Sequence, residues 1–177
     1  WSYIDIHGNW TSPWIRSTAG LTDVAHKNGV TVGCVMSIPY GNTVYPSRWS
    51  YDNYGRILYQ LTQKKNDKFV YAEPLVRMMK FYGINGIGFN SEFHTSASSM
   101  TLLSDFFVAC HKEAEKINWK FEVHWYDGTG DDGRIHFDGG LGNHNKKIFG
   151  NKDNIATDML FANYNWEIGR ASCRERV

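Results

Sequence analysis

The sequence predicts an α/β fold, namely a partial (β/α)8 TIM barrel with about five βα units of the eight. Runs typical of strands and helices alternate along the 177 residues, and the strands begin roughly 30 to 55 residues apart. One unit of a βα barrel takes about 31 residues. Polar and aromatic residues follow several strands, and active sites of such barrels lie at the carboxyl ends of the strands. An open doubly wound sheet is the alternative.

Each element is predicted from its hydrophobic pattern. β-prone runs predict strands at residues 1–6, 31–38, from about 86, 120–125 and 158–164. Helical periodicity predicts helices at residues 21–28, at 74–82 and from Ser98 or Ser99. Gly29 and Gly83 stand where the first two helices should end, since glycine readily takes the left-handed conformation there. The expected buried stripe of the second helix is Leu75, Met78, Met79 and Tyr82. That of the third is Leu103, Phe106, Phe107, Cys110, Ala114 and Ile117.

Composition and motifs exclude several classes of function. A net charge of +1 gives no indication of a nucleic-acid or anionic-membrane partner. Cys34 and Cys110 fall in apolar patterns, which predicts core thiols rather than ligands or a disulfide. The seven histidines form no H-E-x-x-H zinc motif. Gly128–Gly133 matches the nucleotide-binding pattern G-x-G-x-x-G, but its two aspartates would repel a pyrophosphate. The sequence also contains no G-x-S-x-G motif of a serine hydrolase and no membrane-spanning run. We therefore expect no metal and no cofactor.

The ends of the chain differ in character. Residues 167–177 resemble a translated sequencing adapter, and we expect this segment to lie outside the natural fold. Residues 1–166 are expected to be a fragment of a larger catalytic barrel.

Asn90 and Glu92 are the strongest candidates for chemistry. Residues i and i+2 of a strand point to the same side, so this strand presents an amide and a carboxyl group together. A helix cap or turn after a buried strand is the simpler explanation. The functional one is a glycosidase acid/base beside an amide that holds a substrate acetamido group, whose carbonyl oxygen then attacks the anomeric carbon.

Two neighbouring strand ends add further candidates. Tyr126 could donate a hydrogen bond to such a group, Trp125 could form the pocket wall, and Asp127 is a second carboxylate. An ordinary retaining glycosidase would use Glu92 and Asp127 as its pair of carboxylates. Asn163 and Trp166 follow the last strand, where a Trp provides a stacking surface for a sugar ring.

Four stretches of the chain resemble glycoside hydrolase family 85, the endo-β-N-acetylglucosaminidases. They are Trp1–Asp5; Ala25–Val30 with Val32-Gly33; Tyr82–Gly86 through Asn90–Glu92; and Trp125–Asp127 with Asn163–Trp166. Together they span nearly all of residues 1–166, and the N-x-E strand preceded by Tyr-Gly is the most specific of them.

The resemblance implies a βα barrel that cuts the bond between the two N-acetylglucosamines of N-glycan cores on glycoproteins. Glu92 would be the general acid and then the base, and Asn90 would polarise the 2-acetamido group. Tyr126 would hydrogen-bond near that group, and Trp166 would line the sugar subsites. No cofactor is implied. A two-carboxylate glycosidase and a glycan-binding barrel without catalysis remain the alternatives.

Overall fold

The computed structural model describes residues 1–10, 15, 18–38 and 58–163. The strands in this part of the chain are β1 (Ile6–Asn9), β2 (Thr31–Ile38), β3 (Lys64–Lys65), β4 (Lys68–Phe69), β5 (Gly86–Ser91), β6 (Glu122–Tyr126), β7 (Gly150–Asn151), β8 (Asn154–Ile155) and β9 (Met159–Phe161). The helices are α1 (Ala19–Lys27), α2 (Ala72–Phe81), α3 (Ala97–Lys116) and a 3₁₀ helix at Lys147–Phe149. Residues 58–61 are also helical.

Five of these strands form one sheet in the order β1-β2-β5-β6-β9. Every neighbouring pair is parallel, and the sheet curls into half a barrel. Strand order in the sheet follows strand order in the chain, as in successive units of a βα barrel. The predicted fold class is therefore confirmed, and the described strands show no reversal of order of the kind that a doubly wound sheet requires. The hairpins β3–β4 and β7–β8 lie outside this sheet.

The core lies between the outer face of the sheet and the helices. Ile87 and Phe89 alternate with the inward-facing residues of β5 and are buried in the main apolar cluster. Phe89 packs on Phe107 of α3 with ring centroids 5.1 Å apart. Phe107 in turn lies 6.3 Å from the ring of Trp125 on β6. The buried face predicted for α3 is confirmed from Leu103 to Ala114, whereas Ile117 is only partly buried.

The inner face of the sheet is filled near the N-terminal ends of its strands. The His124 ring lies over Gly86 of the neighbouring strand β5 and over Gly33 of β2, one strand further away. A Cβ atom added at Gly86 would lie 2.4 Å from His124 Cε1, so this position accepts only glycine without a shift. His124 Nε2 lies 3.2 Å from a Glu122 carboxylate oxygen, and Lys120 Nζ lies 2.8 Å from the other. A polar cluster therefore occupies this end of the interior.

The helix ends follow their predicted signals, with one displaced cap. Gly29 and Gly83 have φ angles of +72° and +69°. Ser96, rather than Ser98 or Ser99, caps α3, because its side chain accepts a hydrogen bond from the backbone N–H of Ser99.

The buried stripe predicted for α2 is wrong for Met78 and Tyr82, which are 38% and 52% exposed. The helix buries Ala72, Val76 and Met79 instead. The helix begins two residues earlier than predicted, and its buried face is offset from the expected stripe by about one position.

Candidate active site

A cavity of about 470 Å³ opens at the carboxyl ends of the parallel strands. Asn90 and Glu92 both line it, as expected for alternate residues at the end of β5. Tyr126 at the end of β6 lines it as well. The other lining residues are Trp10, Val35, Gly88, Phe89, Phe161 and Ala162. The structure thus brings an amide, a carboxyl group and a phenol from two neighbouring strands to one concave, partly apolar site.

Tyr126 has a defined orientation within this site. Its hydroxyl donates a hydrogen bond of 3.0 Å to the side-chain oxygen of Asn163, which follows β9. The ring of Phe137 packs at an angle on Tyr126, with centroids 6.2 Å apart. Two predicted residues, Tyr126 and Asn163, therefore contact each other directly, and three strands contribute to the site.

Thr129 fixes the backbone on both sides of Glu92. Its Oγ1 lies 2.8 Å from the carbonyl oxygen of Ser91 and 2.6 Å from that of Phe93. The same oxygen lies 3.1 Å from the Phe93 nitrogen, which donates to it, while the Thr129 nitrogen donates to the Ser91 carbonyl at 2.7 Å. Gly128 permits this approach, since an added Cβ would lie 2.3 Å from the Ser91 oxygen. Sequence reasoning missed Thr129 because this part of the chain resembles an ordinary turn.

Trp125 does not occupy the place predicted for it. Its side chain is 0% exposed and lies on the outer face of β6, opposite to Tyr126. Its ring packs near Phe89 and Phe107, and its indole N–H donates to the carbonyl of Thr129 at 3.1 Å. A role as pocket wall is therefore corrected to a role in the core that also supports the Thr129 loop.

Asp127 directs its carboxylate into the loop that follows β6. It is 2% exposed, and one of its oxygens accepts a 2.9 Å hydrogen bond from the side chain of Asn145. The other accepts from the backbone N–H of Gly139. Burial raises the pKa of the Asp127 carboxyl group, while these two hydrogen bonds act in the opposite direction. The described contacts make Asp127 an anchor of the loop, and it is not among the residues that line the cavity.

Comparison with known proteins gives the family of this half-barrel. The family model described as Glycosyl hydrolase family 85 matches residues 1–175. The chain belongs to this family. Among solved structures it is similar to the glycoside hydrolase domain of Spr0440, Endo-D from Streptococcus pneumoniae R6, with 27% identity and a TM-score of 0.70. The match covers 83% of this chain and 23% of that one. No match was found among curated proteins.

Family 85 membership confirms the resemblance that the N-x-E strand indicated. The matched range includes most of residues 167–177, whose interpretation as an adapter stays a prediction. Trp166 and the adapter segment lie outside the described residues. Trp10 is 66% exposed and lines the cavity of this family 85 chain. In the described part of the chain, none of the helices has the length and apolar character needed to cross a membrane.

Proposed function

We propose that this chain forms the acid/base side of an endo-β-N-acetylglucosaminidase active site. Its substrate is the GlcNAc-β1,4-GlcNAc bond in the N-glycan cores of glycoproteins. The observation that supports this most is the placement of Asn90 and Glu92 together on the cavity side of β5. Membership of family 85 and the similarity to the Endo-D hydrolase domain support the class of reaction.

The proposed reaction is substrate-assisted and retains the anomeric configuration. Glu92, as the acid, donates its proton to the glycosidic oxygen while the C1–O bond breaks. The carbonyl oxygen of the 2-acetamido group forms the new bond to C1 and gives an oxazolinium intermediate. Water then attacks C1 as the Glu92 carboxylate takes its proton, and the acetamide re-forms. Two inversions at C1 give net retention, and one N-acetylglucosamine stays on the asparagine.

Asn90 and Tyr126 act on the acetamido group in this scheme. The side-chain oxygen of Asn90 accepts a hydrogen bond from the acetamido N–H, which increases the electron density on the attacking carbonyl oxygen. Tyr126, oriented by its bond to Asn163, hydrogen-bonds at the edge of the same group. A site prepared in this way keeps the attacking oxygen near C1. Positioning of this kind lowers a reaction barrier by up to about 7–11 kcal/mol.

The alternative pair of carboxylates, Glu92 and Asp127, has less support. A nucleophile must reach the anomeric carbon, yet both Asp127 oxygens accept hydrogen bonds from the loop at residues 139 and 145. A glycan-binding barrel without catalysis could also use carboxylate and amide side chains, so membership of the hydrolase family 85 is what favours catalysis. Neither alternative has an observation of its own in its favour.

The deciding experiment uses the full-length protein that carries this chain and a high-mannose glycoprotein. Mass spectrometry should show a single N-acetylglucosamine left on each processed asparagine. Asn90→Ala should lower turnover by about 100-fold or more, because the acetamido oxygen is then neither oriented nor activated. Asn154→Ala, an exposed asparagine of the β7–β8 hairpin, is the matched control and should retain activity.

A second substrate separates the two mechanisms. A core in which a 2-hydroxyl replaces the 2-acetamido group of the sugar whose anomeric bond is cut has no internal nucleophile. The substrate-assisted reaction therefore predicts that it is not cleaved. Cleavage of this analogue at a normal rate, or full activity of Asn90→Ala, would show that the acetamido group is not the nucleophile.

A further inference from the structure

The loop between β6 and the 3₁₀ helix carries a second group of polar side chains, separate from those that line the cavity. His136, Asp138 and His144 each place one possible ligand atom within 4.8 Å of the other two. His144 Nδ1 lies 3.0 Å from an Asp138 carboxylate oxygen. The two imidazole rings stack with centroids 4.0 Å and planes 8° apart. Two imidazoles and one carboxylate therefore meet at one point of the surface.

The backbone of the loop is shaped to hold this group. Gly130 lies directly beneath it, and an added Cβ would come within 2.8 Å of His136 Cδ2 and 2.5 Å of the His144 carbonyl oxygen. The backbone N–H of Asp131 donates to that same carbonyl. The Asp131 carboxylate accepts from the backbone N–H groups of Lys147 and Ile148, at 2.8 and 2.9 Å, and so fixes the far end of the loop.

Two further contacts restrict the imidazoles. The residue after His144 is the buried Asn145, which donates to Asp127 and to the carbonyl of Gly140, both at 2.9 Å. Asp132 lies 2.9 Å from His136 Nε2. Carboxylates placed in this way commonly orient the imidazole of a metal-bound histidine. With Nδ1 of His136 as the ligand atom, Asp132 is an outer contact of the kind that metal centres use.

We infer that His136, Asp138 and His144 bind one divalent transition-metal ion of the zinc class. Two imidazole nitrogens and one carboxylate oxygen match the ligands that zinc prefers, whereas calcium and magnesium prefer an all-oxygen set. Ligands of a zinc tetrahedron are about 3.4 Å apart. Since the ligand atoms lie within 4.8 Å of one another, they need to approach by at most about 1.4 Å to reach this spacing. A water molecule completes the tetrahedron.

The spacing H-x-D-x5-H explains why the sequence predicted no metal. It matches none of the linear zinc motifs, in which two ligands lie on one helix or one short knuckle. Here the ligands come together because the loop folds back on itself. Phe137 stands between two of them, has a φ of +53° and packs on Tyr126. A bound ion would hold this aromatic residue at the edge of the proposed active site.

The test measures metal content and needs no enzymatic activity. The full-length protein is freed of metal with a chelator, dialysed against Zn²⁺ and analysed by atomic spectroscopy. We expect His144→Ala to bind one equivalent of Zn²⁺ less than the wild type. Asp138→Asn should behave in the same way, whereas His94→Ala, an exposed histidine outside the group, should bind as much as the wild type. Because the zinc content of each variant is compared with that of the wild type, zinc bound elsewhere in the protein cancels.

Cobalt gives an independent readout of the same site. Co²⁺ at four nitrogen and oxygen ligands has visible d–d absorption bands of enhanced intensity, and these should disappear in His136→Ala. Thermal melting without metal should be nearly identical for wild type and His144→Ala, because the His144 side chain is 53% exposed. Equal zinc content in wild type, His144→Ala and Asp138→Asn would overturn the inference. So would binding of Ca²⁺ at the group in preference to Zn²⁺.

Discussion

The two ends of the inner sheet face carry similar residue types in opposite arrangements. At the N-terminal end, which we call the closed end, Glu122 contacts both Lys120 and His124, and glycines make room for the imidazole ring. At the C-terminal end, which we call the open end, Glu92 and Asn90 line a cavity of about 470 Å³. Charges that pair with each other stabilise a fold, whereas polar groups around a cavity are available to a substrate. On the proposed function, the same strands provide stability at one end and chemistry at the other, as in βα barrels generally.

The largest expected effect is on activity and comes from the open end. Glu92→Gln keeps the size of the side chain but removes the proposed proton donor, so turnover should fall by about 10²- to 10⁴-fold. The midpoint of thermal unfolding should stay close to that of the wild type. Glu122→Gln is the matched substitution at the closed end and should show the reverse, with a lower melting midpoint and nearly normal turnover. Similar effects of the two substitutions on both measurements would remove the distinction between the ends.

The next largest effect is on stability and should follow from adding a methyl group to a glycine that lies against the His124 ring. Gly86→Ala places a methyl group 2.4 Å from His124 Cε1, and overpacking of this kind costs about 1–3 kcal/mol of unfolding free energy. Gly33→Ala meets the same ring at 3.6 Å, an ordinary contact, and should cost less. Urea denaturation of both variants measures the difference. The second substitution His124→Ala should restore part of the stability of Gly86→Ala, and a failure to do so would locate the strain elsewhere.

An effect of similar size, which depends on pH, is expected at the same closed end. The hydrogen bond from His124, assisted by Lys120, lowers the pKa of Glu122 from its ordinary value of 4.5 to about 2. A carboxylate with a depressed pKa stabilises the fold above pH 4.5, and this contribution is lost as pH falls towards 2. We expect Glu122→Gln to be less stable than the wild type by about 1–3 kcal/mol near pH 6. The gap should narrow steadily below pH 4.5.

The control for this pH dependence is an exposed ion pair. Glu73 pairs with Arg77 at 2.7 Å on α2, with both side chains more than half exposed. Glu73→Gln should change the unfolding free energy by no more than about 0.5 kcal/mol at any pH. A gap between wild type and Glu122→Gln that stays constant from pH 6 to pH 2 would mean that packing, rather than charge, stabilises the closed end.

The sequence predicted what depends on local pattern. β2 was predicted over its full range because a strand buried on both faces is a continuous apolar run. Asn90 and Glu92 were found because alternation along one strand suffices to place them together. The same rule places Trp125 and Tyr126 on opposite faces, and applying it to β6 would have avoided the wrong expectation for Trp125. The expectation for Trp125 assumed that it faces the same site as Tyr126 because the two residues are adjacent in sequence.

Features that join distant parts of the chain could not be predicted. In the sequence, Gly86 resembles a residue that weakens a strand, and only the folded structure shows the His124 ring lying against it. Thr129 contacts the backbone around Glu92 across 38 and 36 positions in sequence. The predicted stripe of α2 failed for a related reason, since α3 and the sheet decide which side of a helix is covered. Contacts of this kind depend on the folded arrangement and leave no periodic signal.

The smallest expected effect tests whether the open end needs its own support. Thr129→Val keeps the shape of the side chain but removes the oxygen that contacts Ser91 and Phe93 on either side of Glu92. The Phe93 N–H loses its partner as well. Loss of these contacts should cost about 1–2 kcal/mol of stability and lower turnover about threefold to tenfold.

Thr129→Ser is the control for this positioning role, because it restores the hydroxyl without the methyl group. A positioning role predicts that turnover recovers in Thr129→Ser while KM stays constant across all three proteins, since the substrate-binding residues are unchanged. If Thr129→Val lost stability but kept full turnover, Glu92 would be held by its strand alone. The open end would then rely on β5 for its geometry, just as the closed end relies on its own ion pairs.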